Sequence, residues 1–560
     1  MRERQAAESR EQAAGRRIWW WLRIGATARP WVRDEGRVPA IGAWYRGSTK
    51  ETVDVPPPQW VSSRSCYRLF GTAARCVTAV AVLLALVLYD TGPSAQVVAG
   101  DGRYRPSRVL ASNIIIMISD GCGYNHIDAT DMYVAGETGV QPYEQFAVRY
   151  AMSTYSADGH GYDPAQAWAD FDYVNHGYTD SAAAGTALST GHKTHNGAIG
   201  VDVDGNVLRN ILEMAEERGK ATGVVTTVPF SHATPAGFVA HNAYRGNYAE
   251  IAQQMLLDSA VDVIMGAGHP WFDNDGNRVD SPIDFAYVGG EQLWEQLVAG
   301  SVGGDADGDG SADGWALIQT QAQFRALASG ATPKRVLGVA QVFAALQQQR
   351  TDERGRPAVS PYKDDPPHYV ALNDGVPTLE EMTRAALNVL DDDPDGLFLM
   401  VEGGAVDWAA HANESGRMIE EQIDFSGAVA AVVAWVEQNS NWMETLLIVT
   451  ADHETGYLTG PGSDPGWQPL VNNGRGQLPG MEWHSTQHTN QLVPVFARGQ
   501  AAVFLHSYAD EFDPVRGAYI DNTEIAAFLF RAMDAQLFCL YLPILERRAS
   551  PPIAAKNLNQ

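Results

Sequence analysis

Cysteine is scarce. Four in 560 residues are too few for a disulfide framework. Cys66 and Cys76 sit in a basic leader, and no spacing supports a bridge between Cys122 and Cys539. Cys122 follows an apolar strand and reads as a small buried hydrophobe. A membrane-length apolar run is not evident either. The uncharged stretch Val77–Tyr89 (VTAVAVLLALVLY) has 13 residues, short of the about 20 that a span needs. Positive charge is the third shortage, with 40 Lys and Arg against 67 Asp and Glu and a formal net charge of −27. The imbalance is uneven: residues 1–76 carry a net +7 and the rest −34. So acidic a body is a poor binder of nucleic acid or anionic membrane, and phosphate chemistry on it must draw on local cations. Apolar residues make up 45%, enough for a core, which excludes a disordered or collagen-like chain.

Arg64, Arg68 and Arg75 precede the Val77–Tyr89 run, and Pro93, Ser94 and Ala95 follow it. Basic flank, short apolar core and small residues are the layout of a secretory signal. The expectation is export to the periplasm or beyond the cell, with an uncut signal anchor as the alternative. No membrane partner is expected beyond export. Residues 1–60, Arg-rich with Trp19–Trp21 and Pro56–Pro58, show no sustained period. They read as a non-native or disordered leader, 61–99 as the signal region, 100–545 as the folded domain and 546–560 as a tail.

Unbroken apolar runs recur beyond the leader: Asn113–Ser119, Gly223–Val228, Val261–Met265, Leu397–Val401 and Leu446–Thr450. Such strands are buried on both faces, which predicts a largely parallel sheet covered by helices on both sides. Asn210–Arg218 reads as a helix, as does Thr378–Leu390 with a Thr378/Glu381 capping box. The fold class is therefore α/β. Residues 289–377 are Gly/Asp-rich and then Gln-rich with few strand signals, and they read as an inserted accessory lobe.

In α/β sheets the functional groups gather past the carboxyl ends of strands. Asp120 follows the first run (ISDGCG), Glu402 another (LMVEGG), and Asp452 with His453 a third (VTADHE). One such carboxylate could be a helix cap, but three together point to a site. Asp407 and His411 stand four apart, on one helix face, able to converge on an ion. His488 is a further candidate, with His484 as its rival. Oxygen and imidazole without thiolate suit Zn²⁺ or a related divalent ion, and a carboxylate–hydroxyl site suits Mg²⁺. Ser181 opens a small-residue helix, where free backbone N–H groups favour an anion; alone, it would read as an ordinary cap.

The blocks NIIIMISDGCG, YTDSAAAGTALSTGHKTHNGAIGVD, HATPAGFVAHNAYR, MVEGGAVDWAAHAN, VTADHETG and QHT together resemble the alkaline phosphatase family, in family order over about residues 110–500. The resemblance implies hydrolysis of small phosphate monoesters through a phosphoserine at Ser181, with two Zn²⁺ and one Mg²⁺. It assigns Asp407, His411 and His488 to one zinc. It assigns Asp120, Asp452 and His453 to the other, and Asp120, Thr234 and Glu402 to Mg²⁺. Arg245 would clamp the phosphate oxygens, and the assembly would be a homodimer. Where the best-known bacterial members carry Asp beside Mg²⁺ and Lys beside the phosphate, this chain has His232 and Trp408.

Related chemistry on diesters, sulfate esters or sugar phosphates (a phosphodiesterase, sulfatase or mutase) is the alternative; Glu402, Thr234 and Arg245 favour monoesters. A non-catalytic relative would have lost a ligand or the nucleophile, and none is missing. Asp305-x-Asp307-x-Asp309-Gly310 copies the start of a calcium loop, but Ala316 stands where its twelfth position needs Glu. Open-loop Ca²⁺ binding and a solvated acidic turn remain alternatives there.

Overall fold

The computed structural model describes residues 110–304, 312–352 and 365–534. The leader, the Val77–Tyr89 run, Cys66, Cys76, Cys539, the Asp305–Asp309 loop and the 546–560 tail lie outside the described residues. Strands run β1 (Asn113–Ser119), β2 (Val148–Ser153), β3 (Ala221–Pro229), β4 (Val263–Ala267), β5 (Gly303–Gly304), β6 (Asp313–Ile318), β7 (Arg335–Val339) and β8 (Leu397–Gly403). Then come β9 (Thr445–Thr450), β10 (Glu454–Thr455), β11 (Leu458–Thr459), β12 (Glu482–Trp483), β13 (His488–Thr489), β14 (Val493–Arg498), β15 (Glu511–Asp513) and β16 (Gly517–Asp521). Twelve of them form one sheet in the order β15-β16-β2-β14-β9-β1-β8-β3-β4-β7-β6-β5.

The middle of that sheet, from β9 through β1, β8, β3, β4 and β7, is parallel throughout. Its strands are the apolar runs of the sequence. In β1 every residue after Asn113 is buried, which requires cover on both faces. Both helix readings hold: Asn210 caps Ile211–Glu217 and Thr378 caps Leu379–Leu390, each closing a capping box. Among the described residues no helix is long and apolar enough to cross a membrane.

Residues 289–377 differ from the strand-poor lobe expected of them. They contribute β5, β6 and β7, and β7 pairs in parallel with β4 while β6 pairs in parallel with β7. The stretch thus extends the sheet. The signal was weak because β7 is only five residues long and opens on Arg335, whose side chain is buried and hydrogen-bonded to the Val261 and Ser259 carbonyls.

Two features of this frame position the site. The neighbours β9, β1 and β8 run parallel with Ile118 level with both Thr450 and Glu402, so the residues at and just past their carboxyl ends stand side by side. The helix Ser181–Thr190 packs against Ala233–Val239, and both are wholly buried. A Cβ on Gly237 would lie 3.0 Å from the Gly185 carbonyl carbon. Only a small-residue run permits that approach, which brings the Thr234 and Ser181 turns to the same end of the sheet.

Candidate active site

Asp407 and His411 share the helix Ala405–His411, and β13 brings in His488. His411 Nε2 lies 3.4 Å from Asp407 Oδ2, and His488 Nε2 lies 3.5 Å from Asp407 Oδ1. The two Nε2 atoms are 2.9 Å apart. Their Nδ1 atoms sit 2.7 Å from the Thr486 carbonyl and 2.8 Å from the Thr179 carbonyl. Those carbonyls accept, so Nδ1 carries the proton in each ring and a lone pair is left on Nε2. Two lone pairs so close, beside a carboxylate, need a positive charge between them. A proton is one answer, and the pKa of His488 is raised because Asp407 outweighs burial. Asp407 itself is held well below the usual carboxylate range, burial being overcome by His411, His488 and His453.

The second set is fully buried. His453 Nε2 stands 3.4 Å from Asp120 Oδ1, 3.2 Å from Asp452 Oδ2 and 3.3 Å from Ser181 Oγ. Its ring stacks on that of His488 with centroids 3.7 Å apart, so the two sets adjoin. Both oxygens of Asp120, Oδ2 of Asp452, Oε1 of Glu402 and Oγ1 of Thr234 are buried without a hydrogen-bond partner. Leaving that many buried polar atoms unpaired would be prohibitive. Burial, then Asp452, Asp407 and Glu402, push the carboxyl of Asp120 far up. Burial lifts Glu402 to about 7 and Asp452 to about 6, and it drives His453 well down. These acids are crowded, desolvated and without a counterion of their own.

The array offers many acceptors and almost no donors, and it fits bound cations. Asp407 with His411 and His488, and Asp120 with Asp452 and His453, are carboxylate–imidazole sets suited to Zn²⁺. Asp120, Glu402 and Thr234 offer oxygen alone, which suits Mg²⁺.

Ser181 opens its helix, and the Asp180 side chain caps it by accepting from the Ala183 N–H at 3.0 Å. The other oxygen of Asp180 accepts from Arg245 Nη1 at 2.9 Å and from the Gly197 N–H at 3.0 Å. One residue thus caps the nucleophile's helix and holds the guanidinium.

His232 stands at the N-terminal end of the helix Ala233–Val239 without a side-chain capping bond, its Nδ1 buried and unpartnered. Burial, then Arg245, push its pKa down to about 3. Its ring stacks on Tyr248 at 6.0 Å and meets Trp408 edge-on at 5.5 Å. The rival His484 is elsewhere, bonded to Thr459 Oγ1 at 2.7 Å and packed on Phe171 and Tyr457. Cys122 is free and buried, its thiol pushed up to about 12 by burial, as its apolar setting predicts.

Sequence reasoning missed three contributors. Asp180 stands in the sequence only as the residue before Ser181. Thr226 donates to Glu402 Oε2, and Thr455 donates to Asp407 Oδ1 at 2.5 Å. Threonines inside or beside strands carry no signal apart from β-propensity. The one available clue was that Thr455 follows the DHE triplet by a single step.

The chain matches the alkaline phosphatase family over residues 111–481. Alkaline phosphatase 4 of Bacillus subtilis is 30% identical over 408 residues, covering 70% of this chain and 73% of its own length. The alkaline phosphatase of Escherichia coli is 30% identical over 429 residues, covering 72% and 84%. Among solved structures, a cold-active alkaline phosphatase from a psychrophilic Shewanella superposes with a TM-score of 0.53 at 26% identity, over 75% of this chain and 100% of that one.

Proposed function

This chain belongs to the alkaline phosphatase family and is a phosphatase acting on phosphate monoesters, and on that premise we propose that it works through a phosphoserine on Ser181 with two Zn²⁺ and one Mg²⁺. The family implies divalent metals. Asp407, His411 and His488 would hold one zinc, Asp120, Asp452 and His453 the other, and Asp120, Glu402 and Thr234 the magnesium. Bound there, the ions supply Lewis-acid charge that lowers the pKa of the serine hydroxyl and steadies the leaving and attacking oxygens.

The protein's own part follows from its geometry. Ser181 Oγ releases its proton to solvent and attacks phosphorus, the bond to the alcohol oxygen breaks, and the alcohol leaves with a proton from solvent. Water then attacks the same phosphorus and gives up a proton, Oγ departs and regains one as the free serine hydroxyl, and inorganic phosphate is released. Splitting hydrolysis this way replaces one hard step with two easier ones. The first N–H groups of the helix Ser181–Thr190 face an anion at its start. Arg245, fixed by Asp180, donates two parallel hydrogen bonds to phosphate oxygens.

The observation that carries this reading is Ser181 Oγ at 3.3 Å from His453 Nε2, at the edge of a buried array of unpaired acceptors. Ser181→Ala removes the nucleophile and none of the ligands. Monoester hydrolysis should fall by orders of magnitude while the zinc content stays unchanged. Near-normal turnover in that variant would sink the phosphoserine route.

The same reading includes export and a homodimer. Export is supported by the Val77–Tyr89 core and its flanks. N-terminal sequencing of the native protein should find a start near Gln96 or Gly100; an intact leader in a membrane fraction would favour the anchor.

A further inference from the structure

We propose that Thr455 is a positioning residue whose single hydroxyl ties the two carboxylate–histidine sets into one unit. The inference rests on the reading of those sets as metal subsites. Thr455 lies on β10, directly opposite His488 on β13, and is fully buried. Its Oγ1 sits 2.5 Å from Asp407 Oδ1 and 3.3 Å from His453 Nδ1. A carboxylate only accepts, so the one hydroxyl proton goes to Asp407. The hydroxyl oxygen then accepts from His453, which puts that ring's proton on Nδ1. The lone pair on His453 Nε2 is thereby presented to Asp120, Asp452 and Ser181. One hydroxyl fixes the tautomer of a ligand in one set and the orientation of a ligand in the other.

The surroundings leave Thr455 no freedom to do otherwise. Its N–H donates to the Gly121 carbonyl at 3.0 Å. Its carbonyl faces His126 Nε2 at 3.1 Å, and His126 Nδ1 accepts from the Gly123 N–H, so Nε2 is the donor. Its β-branched side chain is stiff about χ1. Gly121 supplies the room: at φ +69° it is in the left-handed region, and a Cβ there would stand 2.7 Å from Thr455 Oγ1 and 2.8 Å from Asp407 Oδ1. The same Gly121 donates its N–H to Asp452 Oδ1 at 3.1 Å. The glycine after Asp120 and the threonine two residues after His453 thus form one junction beneath both sets.

Partners that orient ligands in this way are worth about 10–100-fold in metal affinity. The test strips the full chain of metal with a chelator and titrates Zn²⁺ back against a chromophoric competitor, for the unchanged chain, Thr455→Val and Thr455→Ser. Thr455→Val keeps the shape and loses the hydroxyl; it should bind both zinc ions about 10–100-fold more weakly. Thr455→Ser should stay near the unchanged chain. Melting of the metal-free proteins checks the fold, and Thr455→Ala serves as the hydroxyl-free variant should the valine form not fold. Zinc affinity at both sites equal to the unchanged chain in the hydroxyl-free variant would overturn the inference. So would a serine variant as weak as valine, since packing alone would then explain the loss. An unchanged chain that takes up no zinc would remove the metal reading itself, and this inference with it.

Discussion

Trp408 and His232 touch edge-on, so the two positions where this chain departs from the Asp/Lys pattern are one contact. Trp408 is half-buried against Val228, Ala345 and Ala405, one residue past Asp407. A lysine there would place a positive charge beside bound phosphate, and a charge-assisted hydrogen bond contributes about 1.5–3 kcal/mol. It would stabilise product as well as transition state, and such uniform binding slows turnover where release is limiting. Trp408→Lys should therefore tighten inhibition by inorganic phosphate about tenfold or more, and lower kcat where phosphate release limits turnover. An unchanged phosphate inhibition constant would mean that position 408 does not face the phosphate. At this scale the sequence was legible wherever a strand end or an i, i+4 spacing announced a ligand, as with Asp120, Glu402, Asp452 and the Asp407–His411 pair. It was silent on Thr226 and Thr455, because their roles arise from strands that meet only in the folded chain.

The helix Ser415–Asn439, which packs against the helix Ala405–His411, also holds a buried charge network. Arg350, wholly buried, pairs with Glu420 at 2.7 Å, and Arg417 approaches the same carboxylate at 3.5 Å. Beside them Glu421 is 4% exposed with Oε1 unpartnered. Burial, then Asp424 and Glu420, lift its pKa from the ordinary 4.5 to about 8. The folded state thus holds this proton more tightly than the unfolded chain. The stability it confers is whole below pH 4.5 and is lost as pH rises towards about 8, at up to about 1.4 kcal/mol per pH unit. Glutamine is neutral throughout and escapes that loss. Glu421→Gln should melt several degrees above the unchanged chain at pH 9, with the gap closing towards pH 4.5. Equal melting temperatures at both pH values would show that Glu421 stays ionised, compensated by Arg350. Element by element, the buried strands β1, β3, β4, β8 and β9 were legible, since burial on two faces leaves an unbroken apolar run, and so was the Thr378 capping box, whereas the one at Asn210 was not read. β6 and β7 were not, because half-exposed residues in β6 and a buried arginine opening β7 break that pattern.

At the scale of the whole molecule the outstanding fact is a chain with a net charge of −27 that acts on anionic esters. Its general field repels the substrate. Affinity must come from a few concentrated positive charges: Arg245, the start of the helix Ser181–Thr190, and the cations that the proposed Asp120, Asp407, His411, Asp452, His453 and His488 sets would hold. The sheet makes this possible by aligning β9, β1 and β8 so that their carboxylates crowd one spot, at an electrostatic cost that protons or bound cations must relieve. Metal removal should therefore abolish activity while leaving the apolar strands of the core in place. The decisive measurement is turnover of a chromogenic phosphate monoester and the matching diester by the purified chain, after exhaustive chelation and again after Zn²⁺ and Mg²⁺ are restored. The account predicts no hydrolysis after chelation, recovery with the two metals together, and a strong preference for the monoester. Full monoester turnover in the metal-free chain, or a restored enzyme that prefers the diester, would contradict it.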